Sequence, residues 1–134
     1  RITLQEDPKT LNTQKIGGTD KYLVGWYNVE ILTLPRIYVS VNVEQSLKAS
    51  INIKAPGWIK YTAGSAITGQ IFTQNDNGTF DWVCNLEDGT KFGKYQLQPG
   101  AYRLVYRQKN LKKSEYTLEK NFRINSNKTT SIQL

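Results

Sequence analysis

The chain has 134 residues, of which 38% are hydrophobic and 11% aromatic, and its net charge is +7. This length suits one domain or two very small ones, and the aromatic content is too high for a disordered chain. Histidine is absent and Cys84 is the single cysteine, which excludes internal disulfides, Cys-based zinc sites, His-ligated metals and catalytic triads with a His base. We therefore predict that the protein is not an enzyme, and we expect neither a cofactor nor a metal site.

The sequence shows no targeting segment. It has no run of about 18 apolar residues, so we predict no membrane span, and no signal peptide is recognisable. Methionine is absent and the first residue is Arg1. We expect the sequence to be a piece of a longer chain, with any export signal upstream.

Three strands are predicted in the first 53 residues, after a short one at Ile2–Leu4. Apolar and polar residues alternate along Tyr27–Leu32 and along Ile37–Val43, a period of two that is typical of a half-buried strand. Ala49–Ile53 predicts a third strand that returns after a polar turn.

The remainder of the chain has the same character. Asn77-Gly78 is the strongest hairpin signal, because both central residues of a type I′ turn need positive φ. No window of a dozen residues has helical periodicity, so we predict a nearly all-β chain. The strands predicted here are Trp58–Tyr61, Ile67–Thr73, Thr79–Leu86, Tyr102–Arg107, Tyr116–Ile124 and Thr129–Leu134.

Two blocks of the sequence recur. Gly25–Ile31 aligns with Gly100–Tyr106 in its glycine, its tyrosine and its alternation. Val41–Ile53 aligns without a gap with Phe122–Leu134. Because the order of turns and strands is the same in both copies, we interpret them as an internal repeat. The repeated unit would be a three-strand meander that closes each half.

The repeat predicts an all-β, antiparallel β-sandwich of two related halves, with residues 1–53 as the shorter half and residues 54–134 as the fuller half. In each half a tyrosine, Tyr27 or Tyr102, is the first inward residue after a tight turn. Its ring would pack while its hydroxyl reaches a backbone group, as in the tyrosine corner of sandwich domains. We expect both tyrosines to be buried.

The C-terminal block also resembles a known group of modules. Leu97-x-Pro-Gly-x-Tyr102, two alternating strands, a polar turn and Thr129-Thr-x-Ile-x-Leu134 resemble small bacterial prealbumin-like β-sandwiches, such as the carboxypeptidase regulatory-like domain and PEGA-type modules. Together with Tyr27–Pro35 and Ala55–Gly57, the block Pro99–Leu134 is more narrowly similar to the non-catalytic β region of Bacteroidetes-type surface proteins that carry a von Willebrand factor A domain.

This resemblance implies a tandem prealbumin-like or Ig-like topology and a module without catalysis, extracytoplasmic in the periplasm or at the cell surface. Its partner would be another domain or another protein. The Asp-x-Ser-x-Ser metal-adhesion motif of von Willebrand factor A domains is absent from this sequence, so the chain is not that domain itself.

Basic residues are concentrated between Lys91 and Lys128, where ten basic and two acidic residues give a net charge of +8. One interpretation is a face for an anionic partner. The other is a solvated sheet face with cross-strand Arg–Glu pairs and a lysine-rich loop that protects an edge. We favour the second and do not expect nucleic acid, because the tyrosines alternate onto the opposite, buried face; a polyanion stays open. The candidate residues are Arg103, Arg107, Lys109, Lys112, Lys113 and Arg123.

Three tryptophans, Trp26, Trp58 and Trp82, offer either a sugar-stacking platform or core packing, of which packing is commoner in strands. Trp26 is out of phase with the apolar residues Tyr27 and Val29. It is therefore the tryptophan that we expect to be exposed or to lie between the two halves.

Two further features have structural interpretations. The polar run Asn75–Asp81 departs from the EF-hand spacing, and a hairpin turn accounts for it. Cys84 is in phase with Phe80 and Trp82, which predicts a small buried core residue.

The sequence thus predicts a non-catalytic accessory module of a larger bacterial surface or periplasmic protein, acting in spacing or in protein–protein interaction. The alternative is a domain that binds a polyanion or a carbohydrate through its outer arginine face or an exposed tryptophan.

Overall fold

Strands dominate the computed structural model of the chain, which describes residues 1–5, 7–111 and 116–134. The all-β prediction is confirmed for this part of the chain, and no helix within it is long and apolar enough to cross a membrane. The strands are β1 (Ile2–Leu4), β2 (Asp7–Asn12), β3 (Gly25–Ile31), β4 (Ile37–Val43), β5 (Gly57–Gln74), β6 (Phe80–Asn85), β7 (Thr90–Leu97), β8 (Gly100–Gln108), β9 (Leu118–Ile124) and β10 (Thr129–Gln133).

The chain divides into two units, Arg1–Ile53 and Lys54–Leu134. In the first unit the described strands form an antiparallel sheet in the order β2-β1-β3-β4. Tyr27 and Ile31 of β3 and Ile2 of β1 are its buried hydrophobic side chains among the described residues. The alternation that predicted the strands therefore sets the buried face.

The second unit is organised around β5, which is 18 residues long. The sequence predicted two separate strands here, but the chain continues through Thr62–Ile67, where the register of pairing shifts. Before this bend β5 pairs with β7 and β10, and after it β5 pairs with β6 and β8. The strand β5 thus links two parts of the sheet, one with β7 and β10 and the other with β6 and β8.

The core of the second unit lies between these two parts, which gives the unit a sandwich-like arrangement. Side chains from before and after the bend of β5 belong to the same hydrophobic cluster. The buried members of the cluster are Ile59, Tyr61, Ile67, Ile71, Val83, Leu86, Leu97, Tyr102, Leu104, Phe122 and Ile124.

The predicted three-strand meander is wrong at its third strand. In the second unit β10 does not pair with β9 but lies parallel to β5, with Thr129 opposite Trp58 and Gln133 opposite Thr62. The turn before β10 contains Asn127 with φ of 60°, and the Asn127 N–H donates to the Pro56 carbonyl oxygen at 2.9 Å, which holds the turn against the start of β5. In the first unit residues 44–53 form no strand at all.

Two strands were not predicted. β2 begins at Asp7-Pro8, a pair that is typical of a turn, and β7 has only a weak apolar pattern. In β7, Gly93 lies against the ring of Tyr61, where an added Cβ would come within 2.5 Å of the ring carbon Cε1. Glycine is needed here for close packing, so β7 lacks an apolar side chain at this position and its alternating pattern is weak.

The same tyrosine contact occurs in both units. The Tyr27 hydroxyl donates to the carbonyl oxygen of Leu23 at 2.7 Å. The Tyr102 hydroxyl donates to the carbonyl oxygen of Gln98 at 2.5 Å. Tyr27 is 3% exposed and Tyr102 is 1% exposed, which confirms that both are buried.

The strand pairs around the two tyrosines also correspond. Gly25 and Gly100 have φ of 156° and 153°, which glycine adopts more readily than any other residue. Gly25 lies opposite Val43 in the first unit, and Gly100 lies opposite Ile124 in the second. These are the positions that the sequence repeat aligns.

Candidate interaction surface

The outer face of the second unit carries an aromatic–arginine patch, which we define as Phe72, Phe80, Trp82 and Arg103. Phe72 of β5 lies opposite Trp82 of β6 on one side and opposite Arg103 of β8 on the other. Residues that are direct partners in antiparallel strands share a face. The register therefore brings these side chains together across three adjacent strands.

Trp82 is the most accessible tryptophan of the described chain, with 58% of its surface exposed. Its indole Nε1 donates to the Asn85 side-chain oxygen Oδ1 at 3.0 Å. This hydrogen bond fixes the orientation of the ring and leaves a broad aromatic face in water. Such a ring is a common anchor of protein and sugar recognition.

Arg103 is held by three neighbours. Its guanidinium carbon lies 4.0 Å from the centre of the Phe80 ring, within the range of a cation–π contact. Its Nε donates to Asn121 Oδ1 at 2.9 Å, and its Nη1 lies 3.4 Å from a Glu119 carboxylate oxygen. The side chain is 26% exposed, so it offers a positioned planar surface with part of its charge offset.

A β-bulge explains why Trp82 is outside. The β5–β6 register shifts between Ile71 and Phe72, because Ile71 lies opposite Cys84 while Phe72 lies opposite Trp82. Val83 is the extra residue and is buried. The prediction that Cys84 is in phase with Trp82 is therefore wrong, since the bulge changes the phase.

Cys84 packs against the core of the second unit. Burial raises the pKa of its thiol above the ordinary value, so the reactive thiolate is disfavoured. The structural interpretation of this cysteine agrees with its surroundings.

The predicted basic face is an ordinary solvated sheet face in several respects. Arg103 lies between the buried Tyr102 and Leu104 of β8, Arg107 follows the half-buried Tyr106, and Arg123 is exposed on β9, where its partner residue is Ala101. The predicted cross-strand Arg–Glu pair is present between Arg103 and Glu119. The interpretation of these arginines as a site for an anion stays a prediction.

The lysines of the predicted site are only partly described. Lys109 Nζ lies 3.3 Å from a carboxylate oxygen of Asp88, and both side chains are more than half exposed. An exposed pair of this kind contributes little to stability. Lys112 and Lys113 lie outside the described residues.

The strand predicted from Tyr116 begins later than expected. β9 starts at Leu118, and Tyr116 and Leu118, which alternation along the predicted strand Tyr116–Ile124 places on the same side as the buried Phe122, are 44% and 57% exposed. Phe122 and Ile124 are buried as predicted. Between Leu118 and Phe122 on the same face lies the exposed Lys120, opposite Leu104, and Leu118 pairs with Tyr106 at the end of the β8–β9 ladder.

The other two tryptophans have different surroundings. Trp26 belongs to the first unit and is 53% exposed. Trp58 is half-buried on β5, with Lys94 Nζ at 4.7 Å from the centre of its ring. The sequence singled out Trp26 and missed Trp82, whose exposure depends on a bulge that has no signal in residue alternation.

The hairpin at Asn75–Thr79 also differs in type from the prediction. Gly78 has φ of 83°, whereas Asn77 is not among the residues of positive φ, so the turn is not type I′. The Asn75 side-chain amide donates to Thr79 Oγ1 and to Asp81 Oδ2, each at 2.9 Å. These polar residues therefore hold the hairpin together.

A shallow cavity of about 400 Å³ lies beside the patch, with Asn85 and Arg107 among its lining residues. Within the described part of the chain, no group of three or more His, Cys, Asp or Glu side chains could hold a metal ion. The arrangement offers recognition by stacking and hydrogen bonding.

No protein-family model, no curated protein and no solved structure matches the chain. The resemblance to prealbumin-like modules and to von Willebrand factor A-associated proteins therefore stays a prediction.

Proposed function

We propose that this chain is a non-catalytic accessory β module that binds a protein partner through the aromatic–arginine patch. The observation that carries the proposal is the exposed ring of Trp82 next to the fixed guanidinium of Arg103 on the outer face of the sheet. Tryptophan and arginine are the residues most enriched among binding hot spots. We place the module in a larger surface or periplasmic protein, as the resemblance implies.

The way in which Arg103 is held favours a protein partner over a polyanion. Asn121 accepts from its Nε and Glu119 lies beside its Nη1, and its face is against Phe80. A polyanion site requires cationic groups that gain more from phosphate or sulfate than from their present partners. A protein surface can instead use the aromatic and planar groups as they stand.

The test is affinity capture from cells that produce the protein, with captured proteins identified by mass spectrometry. Trp82→Ala should weaken capture of the partner at least tenfold, because truncation of a hot-spot residue costs about 2 kcal/mol or more. Phe92→Ala is the matched control, since Phe92 is an aromatic residue of β7 that is 73% exposed and outside the patch. Equal capture by wild type and Trp82→Ala would contradict the proposal.

Heparin chromatography and a sugar-binding screen distinguish the alternative function. We expect the protein to elute from heparin at low salt and to bind no sugar in a Trp82-dependent manner. Strong retention that is lost in Arg103→Ala, or sugar binding that is lost in Trp82→Ala, would replace the protein partner by a polyanion or a carbohydrate.

A further inference from the structure

One segment of the first unit has a paired counterpart in the second unit and lacks a partner itself. The sequence repeat aligns Lys48–Asn52 with Thr129–Gln133, which is β10 and pairs with β5. Among the described residues, no backbone hydrogen bond involves residues 48–55. The segment Ala49–Ile53, which we predicted as a strand, thus has no backbone pairing like that between β10 and β5.

The two segments leave equivalent turns. Ser46 and Asn127, which the repeat aligns, both have φ of 60°. The residue that follows each of them donates its N–H to the carbonyl oxygen three residues earlier, at 3.3 Å for Leu47 and 3.2 Å for Lys128. The chain therefore enters both segments through the same local geometry.

The alternation of burial is also the same in the two segments. Ile132 and Leu134 pack against the core of the second unit, and Ile51 and Ile53 are likewise half-buried while Asn52 between them is exposed. The segment forms no strand here, but its half-buried isoleucines at alternate positions and its backbone groups, without partners among the described residues, are what pairing with an added strand requires.

The strand missing from the first unit can be identified by comparison. Leu4 of β1 lies opposite Tyr27 just as Thr73 of β5 lies opposite Tyr102, so β1 corresponds to the last part of β5. The first part of β5, Gly57–Thr62, is the part that pairs with β10. It has no counterpart among the described residues of the first unit.

We propose that Lys48–Asn52 accepts an extended strand of a partner polypeptide, which pairs with it in parallel as Trp58–Thr62 pairs with Thr129–Gln133. The accepted strand would carry apolar residues at alternate positions, like Ile59 and Tyr61, which are each 1% exposed. Backbone hydrogen bonds would supply affinity and the two inward side chains specificity, the usual division in strand addition.

The occupant is a partner strand and not a second copy of this chain. In a second copy Trp58–Thr62 is already paired on both sides, with β7 and with β10. This site goes beyond the aromatic–arginine patch and does not depend on it, because Trp82 lies in the other unit.

The probe is a synthetic peptide with the sequence of Ala55–Ala63, added to the full chain while amide hydrogen exchange is followed by NMR. In the second unit the Leu134 N–H donates to β5, and the Lys128 carbonyl oxygen accepts from β5. The repeat aligns Ile53 with Leu134, so the amides of Ile53 and of the alternate residues Ile51 and Ala49 should face the added strand. We expect their exchange to slow at least tenfold at saturation.

The control peptide carries Lys60→Pro. The Trp58 N–H donates to Lys128, just before the strand β10, and the N–H of Lys60, two residues later, points the same way. Proline has no N–H, so it removes this donor from the peptide. Equal protection by both peptides would overturn the proposal. So would protection that appears without peptide and rises with protein concentration, which would identify a second copy as the occupant. Trp82→Ala should bind the peptide like wild type, so a failure of the patch is seen separately.

A fused variant keeps the test decisive if the free peptide binds too weakly. In this variant a second copy of residues 56–70 replaces Arg1 and leads directly into Ile2. The junction follows the comparison of the two ladders, in which Ile2 of β1 corresponds to Ile71 of β5. The linkage raises the effective concentration of the strand. Unprotected amides at Ala49, Ile51 and Ile53 in this variant would exclude the site.

Discussion

At the scale of single residues, the buried phenol of Tyr102 links stability to pH. Burial, and in addition the nearby Cys84, raise the pKa of Tyr102 well above its usual range. Burial also raises the pKa of Tyr61. Because the folded protein favours the neutral phenols, their contribution is complete below pH of about 10 and is lost as the pH rises above it.

Tyr102→Phe should lower the free energy of unfolding at pH 7 by about 1–3 kcal/mol, since it leaves the buried carbonyl oxygen of Gln98 without its donor. The variant should also lose less stability than wild type between pH 9 and pH 11. Urea unfolding at these pH values measures both effects. Tyr116→Phe, at a tyrosine that is 44% exposed, is the control, and an equal loss in the two variants would contradict the assignment.

For single residues of the core and the candidate surface, some properties could be predicted from the sequence and others could not. Burial of Tyr27 and Tyr102 follows from alternation after a glycine turn, so it was predictable. Exposure of Trp82 was not, because it depends on a bulge at Val83 that reverses the phase of β6. The partners of Arg103 depend on strand pairing, of which only the Arg–Glu pair between β8 and β9 was expected.

At the scale of elements, the start of β5 depends on a glycine. A Cβ on Gly57 would overlap the carbonyl oxygen of Asn125 and lie 2.7 Å from Ile124 Cγ2. At Gly64, in the same strand, an added Cβ meets nothing within 4 Å among the described residues. The contact at Gly57 lets the turn before β10 close onto β5.

Gly57→Ala should therefore destabilise the protein by about 1–3 kcal/mol, the usual cost of overpacking. Gly64→Ala should be neutral or stabilise it by up to about 1 kcal/mol, because alanine restricts the unfolded chain. Thermal unfolding of the two variants beside wild type measures the difference. A similar melting temperature for both variants would show that the turn can move away from β5 at little cost.

Strands with regular alternation were predictable, and those with another determinant were not. β3 and β8 bury side chains of one face, Tyr27 and Ile31 in β3 and Tyr102 and Leu104 in β8, and β4 alternates half-buried with exposed residues from Ile37 to Val41, which is the pattern that the sequence shows. β7 was missed because the ring of Tyr61 fills the space that a side chain at position 93 would need. The glycine there interrupts the alternating apolar pattern of the strand. The parallel pairing of β10 was missed because it depends on long-range contacts of its turn with the start of β5, such as the hydrogen bond from the Asn127 N–H to the Pro56 carbonyl oxygen.

At the scale of the whole molecule, the two units have unequal cores. Of the buried hydrophobic side chains in the described chain, three belong to Arg1–Ile53 and eleven to Lys54–Leu134. Small units bury too little surface to offset their chain entropy. The internal repeat was visible in the sequence, but the unequal number of strands around each copy was not, because it depends on long-range pairing.

Residues 54–134 produced alone should consequently fold, with a cooperative thermal transition and dispersed amide NMR signals. Residues 1–53 alone should show neither. Circular dichroism melting and heteronuclear NMR of the two pieces check this expectation, and a cooperative transition in the shorter piece would refute it.

The parallel contact between β5 and β10 also determines how the second unit carries load. These are its first and last strands, and they run in the same direction, so tension between the two ends of the unit pulls them in opposite directions along their length. All the hydrogen bonds between them must then yield together in shear, whereas an antiparallel terminal pair would open one bond at a time. A unit tied in this way resists extension when it is pulled by its ends.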